Sequence, residues 1–310
     1  MAAPPPTRQS PTPPALSDRV WSILACPHCG GPLARTAAGG RCERCGIDLA
    51  RAPSGQLDLR LRHPEQRQLD LSLEAPLDES GVDWDRLRPR PAPEVDLSRL
   101  RGPCHLPRDL RTHVPRAAAG DLALDLGCGA QVHQEVCELA GFEYVGLDYS
   151  APEAMLLGDA QALPFRDASF GFVLTIAVLE HVPFPLLMMR EAHRVLRPGG
   201  RLLGTVAFLE PFHQRSFHHH THLGTLNALR FAGFRVEHIA PSGGWSGLQA
   251  QAHMGLFPSA PRWLAGLLVA PLLALHRLWW RAGRLLDPSA TETRRRLKTT
   301  GAILFLASKP

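Results

Sequence analysis

A chain of 310 residues that is 45% hydrophobic and 20% charged is neither fibrous nor disordered, and it is long enough for one sizeable core with a smaller module beside it. The net charge of +5 leaves acidic and nucleic-acid partners open and selects neither. Seven cysteines, four of them in two close pairs, are too few and too clustered for a secreted disulfide scaffold, so a reducing cytoplasmic setting is expected.

Residues 1–17 begin Met-Ala-Ala-Pro-Pro-Pro-Thr-Arg, without the apolar segment of a signal peptide, and read as a disordered proline-rich tail. Residues 18–60 hold Cys26-Pro-His-Cys29 and Cys42-Glu-Arg-Cys45, with glycines directly after each pair. A C-x2-C turn aims two thiolates at one ion, and two such turns at this distance predict a closed, structural Zn2+ site on Cys26, Cys29, Cys42 and Cys45. The stretch from Leu24 to Arg60, with Leu57-Asp58-Leu59-Arg60 after the second pair, resembles the small zinc ribbons that accompany certain RNA and protein methyltransferases. Residues 61–117, broken by Arg88-Pro89-Arg90-Pro91, read as a linker and a helical approach segment.

From residue 118 to 310 strands and helices alternate, which predicts a mostly parallel sheet covered on both faces. Candidate strands are 122–126, 142–148, 154–158, 171–176, 201–208, 234–240 and 302–308. The first runs Leu-Ala-Leu-Asp-Leu into Gly-Cys-Gly, so Asp125, Gly127 and Gly129 form a turn that brings backbone close to a ligand. A dinucleotide fingerprint needs a third glycine at position 132, which is Val132, and this weakens a nicotinamide or flavin reading. The second strand ends in Asp148, about 20 residues after the turn, where a ribose-binding carboxylate belongs. Between later strands, Met188, Ala192, Val195 and Leu196 fall on one helical face before Pro198-Gly199-Gly200.

With Gly158-Asp159-Ala160, Leu163-Pro164-Phe165, Asp167-Ala168-Ser169-Phe170, Leu179-Glu180-His181-Val182 and Val195-Leu196-Arg197-Pro198-Gly199-Gly200 following in order, residues 118–240 and a closing strand resemble the class I S-adenosylmethionine-dependent methyltransferases. The resemblance implies a Rossmann-like seven-stranded α/β sheet carrying a small N-terminal zinc ribbon. It implies S-adenosylmethionine as cofactor, held by Asp125, Gly127, Gly129, Asp148, Tyr149, Asp159 and Ala160, with Asp159 and Ala160 at the adenine. Gln131 stands where the fuller family pattern has glycine. Such enzymes need a base only where the acceptor must lose a proton, and His181, Glu180 and His213 are the candidates. His181 follows the fourth strand, and Glu180 reads as an orienting acceptor. His213, His218, His219, His220 and His222 crowd ten residues, and substrate lining or plain surface is preferred to a metal there.

An apolar insertion over 254–298 contains Trp263 to Leu275, thirteen uncharged residues, too few to span a bilayer. A buried cover over the active site is the preferred reading. The alternative is an interfacial helix that gives peripheral membrane contact through 261–286, where tryptophan and arginine suit headgroups. Three functions remain in view. The first is methylation of a small-molecule or a glycan- or lipid-linked acceptor. The second is RNA methylation with the ribbon as RNA-binding module, against which Thr175-Ile176-Ala177-Val178 lacks the Asn/Asp-Pro-Pro-aromatic platform of exocyclic-amine base methylators. The third is a non-catalytic scaffold.

Overall fold

The computed structural model describes residues 15–63, 66, 68, 69, 77–286 and 291–310. The proline-rich tail expected at residues 1–17 therefore lies almost wholly outside the described residues.

The N-terminal module opens with α1 (Asp18–Ser22), whose N-cap Ser17 side chain accepts from the Val20 amide. Strands β1 (Leu33–Thr36), β2 (Gly39–Cys42) and β3 (Asp48–Ala50) form a three-stranded antiparallel sheet. Three such short strands enclose too little apolar surface to stand alone, and they do not stand alone. Val20, Leu24, Leu33 and Leu49 are buried in one continuous cluster with Leu124, Val145, Phe165 and Phe170 of the larger body. Backbone joins the two as well: Leu24 bridges to Phe165, the Ala25 amide donates to the Pro164 carbonyl and the Arg166 amide to that of Ile23.

Strand β4 (Leu57–Leu59) joins the module to the main sheet: Leu57 bridges to Arg51 on the module side, and across from it lies β7 (Leu156–Gly158). It pairs in parallel with β7, Leu57 opposite Leu156 and Leu59 opposite Gly158, and so becomes an edge strand of the main sheet. The sheet thus has eight strands among the described residues, in the order β10-β11-β9-β8-β5-β6-β7-β4, rather than the seven expected. The extra strand is Leu57-Asp58-Leu59, assigned from sequence to the ribbon. Its two leucines are buried and cover the edge that β7, only three residues long, would otherwise expose.

Residues 77–117 carry a short helix, α2 (Arg108–Arg111), and pack Leu87, Val95, Leu106, Leu110 and Val114 against the sheet. Beyond them, β5 (Leu122–Leu126), α3 (Gln134–Leu139), β6 (Glu143–Asp148), β7 (Leu156–Gly158) and β8 (Phe170–Ile176) build the parallel centre. Its strands are nearly continuous buried runs, as a sheet covered on both faces requires. Helix α4 (Pro185–Val195) starts with proline at its first position and buries Met188, Met189, Ala192 and Val195. Strand β9 (Leu196–Ala207) follows directly, and its register against its parallel neighbour shifts between Leu196 and Arg201, where Gly199 takes a φ of +75° in the Pro-Gly-Gly stretch. Then come α5 (His222–Phe231), β10 (Arg235–Pro241), α6 (Gly247–Ala250), α7 (Arg262–Leu286), α8 (Glu292–Thr299) and β11 (Ala302–Ser308), which runs antiparallel between β9 and β10.

The apolar insertion does not form the buried cover expected of it. Residues 262–286 form one 25-residue helix, of which Ala265 and Val269 are buried, while Trp263 is 72% and Trp279 69% exposed. The thirteen-residue run fills only part of this helix, which extends through the arginine-bearing stretch.

Candidate active site

Three loops converge at the carboxyl ends of β5, β6 and β7, the side of an open α/β sheet where ligands bind. In the first, Gly127 (φ +77°) and Gly129 (φ +51°) take left-handed conformations. A Cβ on Gly127 would lie 2.4 Å from Val178 Cγ2, so only glycine fits. Gln131 also has a positive φ, +57°, and its side-chain amide donates to the Glu153 carbonyl. The glutamine adopts the backbone shape that the family's glycine supplies, with that hydrogen bond offsetting the cost.

Asp148 closes the second loop. Its Oδ2 accepts from the Gly129 amide at 3.0 Å, and its Oδ1 from the amides of Ser150 and Ala151 at 2.9 Å each. The carboxylate therefore ties the end of β6 to the glycine turn. Tyr149 beside it is 60% exposed and lies under the Arg60 guanidinium at 5.6 Å. Arg60, paired with Asp58 at 2.8 Å, directly follows β4, so the N-terminal module reaches the edge of these loops. In the third loop Asp159 accepts from the amide of Gln161 at 2.8 Å, and Gln161 Oε1 accepts from the Phe184 amide at 3.0 Å. Half-buried Ala160 packs on the core.

Asp125 sits differently from the other six cofactor candidates. It is fully buried beneath the turn, where it accepts from the Tyr144 hydroxyl at 2.9 Å and meets His133 Nδ1 at 3.3 Å. Its reach to a ligand is through the turn that it braces.

The second cluster lies past β8 and β9. Glu180, His181 and His213 each bring one donor atom within 4.8 Å of the others. Glu180 is wholly buried in a 3-10 turn; Oε1 accepts from the Ala207 amide at 3.2 Å, and Oε2 has no hydrogen-bond partner. Burial pushes its carboxyl up to about 7. His181 and His213 meet edge to face at 5.1 Å, and burial followed by the nearby His213 lowers the His181 pKa. His213 Nδ1 lies 3.0 Å from the Pro211 carbonyl, and its Nε2 faces Glu210 at 3.9 Å. Glu210 in turn accepts from the Trp245 indole N–H at 2.6 Å. Of the five clustered histidines, only His213 joins this group; His220 is buried nearby, and burial lowers its pKa to about 4. Glu210 and Trp245 carry no sequence motif, although Glu210 stands three residues before His213.

In the N-terminal module Cys26, Cys29, Cys42 and Cys45 place their sulfurs within 4.8 Å of one another, with Cys26–Cys45 at 3.8 Å and Cys29–Cys42 at 3.5 Å. Sulfurs about 2.3 Å from a tetrahedral zinc stand about 3.8 Å apart, so this donor set fits Zn2+. Before a metal binds, burial pushes the Cys26 thiol up to about 12 and raises that of Cys29, whereas at Cys42 burial is outweighed by the backbone N–H groups of Cys45 and Arg44, which bring the thiol down to about 7, so the first thiolate forms there.

A glycine turn, an acid at the next strand's end and a third acidic loop, all on the carboxyl side of a parallel sheet, define a Rossmann-like α/β fold. The methyltransferase domain family matches residues 124–204, the part that carries these three loops. An uncharacterized methyltransferase of Mycobacterium marinum (strain ATCC BAA-535 / M) is 32% identical over 182 residues, which cover 53% of this chain and 69% of that protein. The 27-O-demethylrifamycin SV methyltransferase of Amycolatopsis mediterranei (strain S699) is 33% identical over 102 residues, 27% of this chain and 38% of the relative. A ubiquinone biosynthesis O-methyltransferase of Ruegeria pomeroyi (strain ATCC 700808 / DSM 15171 / DSS-3) is 35% identical over 108 residues, 30% of this chain and 43% of the relative. The chain belongs to the methyltransferases, and it is an enzyme that uses S-adenosylmethionine.

Proposed function

We propose that this enzyme methylates a hydroxyl of a small-molecule or a glycan- or lipid-linked acceptor, with proton removal by the Glu180–His181–His213 cluster. The observation that carries the reading is that cluster, a buried carboxylate and two imidazoles gathered beside the cofactor loops. The rifamycin and ubiquinone relatives, both methyltransferases of small molecules by name, support the acceptor class.

When bound, S-adenosylmethionine supplies a methyl group already activated by its sulfonium. Gly127 and Gly129 would admit it close to the backbone, Asp148 and Tyr149 would hold its ribose side, and Asp159 and Ala160 would border its adenine. Asp125 acts as a positioning residue beneath the turn. Aligning the acceptor and excluding water then carry most of the rate. His181, kept neutral at pH 7 by its lowered pKa, accepts the acceptor's hydroxyl proton. Glu180 orients that imidazole and stabilises the imidazolium once it forms, while His213 completes the wall. The four thiols hold Zn2+ as a structural ion, since a closed tetrathiolate site leaves no open coordination position.

Two expected results test the base. His181→Ala lowers kcat roughly a hundredfold while S-adenosylhomocysteine binding, read by calorimetry, is unchanged. Because the Glu180 carboxyl is raised to about 7, it is neutral below that pH and ionised above it, so kcat climbs as pH rises through about 7. Glu180→Gln removes that rise. A variant profile that keeps the step assigns it to another group and ends the proposed role of Glu180.

A further inference from the structure

Helix α7 carries an outward face that the catalytic reading leaves unused. Trp263, Leu267, Leu268, Leu275, Leu278 and Trp279 are all more than half exposed on it. A contiguous apolar face of this size on a soluble domain marks a docking surface. The helix contains Arg262, Arg277, Arg281 and Arg284 and no aspartate or glutamate, and α8 adds Arg294, Arg295, Arg296 and Lys298 against a single acid, Glu292. Arg296 pairs with Glu292 at 2.7 Å, which leaves cations in excess on both helices, and apolar surface bordered by such an excess matches one occupant in both respects, the headgroup and acyl boundary of an anionic bilayer. Trp263 and Trp279 stand toward opposite ends of the exposed face, the residue type that anchors at that boundary.

Length and composition alone would let Arg262–Gly283 cross a membrane, with only 11% of its most apolar window buried. The packing argues for lying on the surface instead. The opposite side of α7 is held to the domain at its N-terminal half, where Ala265 and Val269 pack with Ala252 and Arg262 Nε lies 3.3 Å from His253, and again where the Arg295 guanidinium donates to the Trp280 carbonyl. The uncharged run Trp263 to Leu275 spans about 20 Å of helix, short of the roughly 30 Å hydrocarbon core.

We infer that α7 docks this enzyme on anionic phospholipid membranes, lying in the interface with its apolar face down. A cleft of about 1200 Å3 opens between α7, α8 and the turn after β10. Leu209 and Trp245 line it, and Trp245 is hydrogen-bonded to Glu210 beside His213. The docked helix therefore borders a cleft whose wall, at Trp245, is one hydrogen bond from Glu210 beside the base cluster, the passage this inference requires. Resting on the proposed methylation site, this passage points to an acceptor that partitions into the bilayer.

Co-flotation of the full chain with vesicles tests docking without any methyl transfer, so its failure is separate from failure of the catalytic reading. The protein should float with vesicles of mixed phosphatidylglycerol and phosphatidylcholine and bind pure phosphatidylcholine roughly tenfold more weakly. The double variant Arg277→Gln/Arg281→Gln should show a similar loss on the anionic vesicles, and Leu267→Asp/Leu278→Asp should abolish flotation. Unchanged S-adenosylhomocysteine binding shows that both variants are folded. No flotation of the unaltered chain, or flotation that survives both variants, overturns the inference. So does a dimer in sedimentation that Leu267→Asp/Leu278→Asp dissociates, which would assign the face to a second copy, or protein that resists alkaline extraction, which would mean a spanning helix.

Discussion

Cys42→Ser is expected to lose the bound zinc and to lower the melting temperature by about 10 °C or more, with S-adenosylhomocysteine binding weakened in the same variant. The thiol is buried, and its sulfur stands 3.5 Å from that of Cys29, so serine removes a ligand from the middle of the cluster. Structural zinc contributes roughly 10 kcal/mol to the folding of small modules. With the proposed zinc bound, that energy would not stay in the module. Leu24, Leu33 and Leu49 share a core with Phe165 and Phe170, and β4 closes the edge of the main sheet at β7. Arg60, one residue past β4, lies over Tyr149 at the cofactor pocket. Loss of metal should therefore be felt at the pocket rim. Elemental analysis, thermal denaturation and calorimetry on one preparation check the three effects together, with Cys104→Ser, outside the cluster, as the control that keeps its zinc. A Cys42→Ser protein with unaltered zinc content and melting temperature would remove the metal from this account.

The same joint between module and sheet explains what sequence could and could not reveal. Seven strands are legible because they alternate with helices along one contiguous stretch, and even β7, three residues long, falls in that rhythm. Leu57-Asp58-Leu59 is three residues long and finds its partner about a hundred positions later, at Leu156 to Gly158. No local pattern announces such a pairing. Helix α7 shows the converse limit. Its apolar run is plain in the sequence, but whether that face is buried depends on what packs against it, and among the described residues only its Ala265 and Val269 side meets the domain closely.

At the site, residue types and spacing pick out the glycine turn and the acids that follow, because backbone approach and ribose recognition each need a particular residue at a particular place. They do not tell which way an acid faces. Asp125 and Asp148 belong to one motif series, yet one lies under the turn against Tyr144 and His133, and the other borders the pocket. All three members of the proposed base cluster, Glu180, His181 and His213, are legible in the sequence, but the partners around them are not. Glu180 and His181 are adjacent in the chain, whereas Glu210 and Trp245 come together across 35 residues through the crossing of β9 and the turn after β10.

That difference between the two acids carries the second large effect. Asp148→Ala is expected to weaken S-adenosylhomocysteine binding by about a thousandfold, near 4 kcal/mol, with a modest loss of stability. Three backbone amides, of Gly129, Ser150 and Ala151, donate to its two oxygens, and alanine leaves all three without that acceptor. The glycine turn then loses its tie to the end of β6, and the ribose hydroxyls lose a charged acceptor, whose bonds are worth more than neutral ones. Asp148→Asn, which keeps one carbonyl oxygen, should recover part of the affinity. Asp125→Ala should reverse the balance. It strands the Tyr144 hydroxyl and the buried His133 ring, so the melting temperature falls first, and affinity declines only as far as the turn above it loosens. Calorimetry and thermal melts on the three variants separate these roles. Full affinity in Asp148→Ala alongside lost affinity in a folded Asp125→Ala would mean that the acid beneath the turn, and not the one at the pocket's edge, governs cofactor binding.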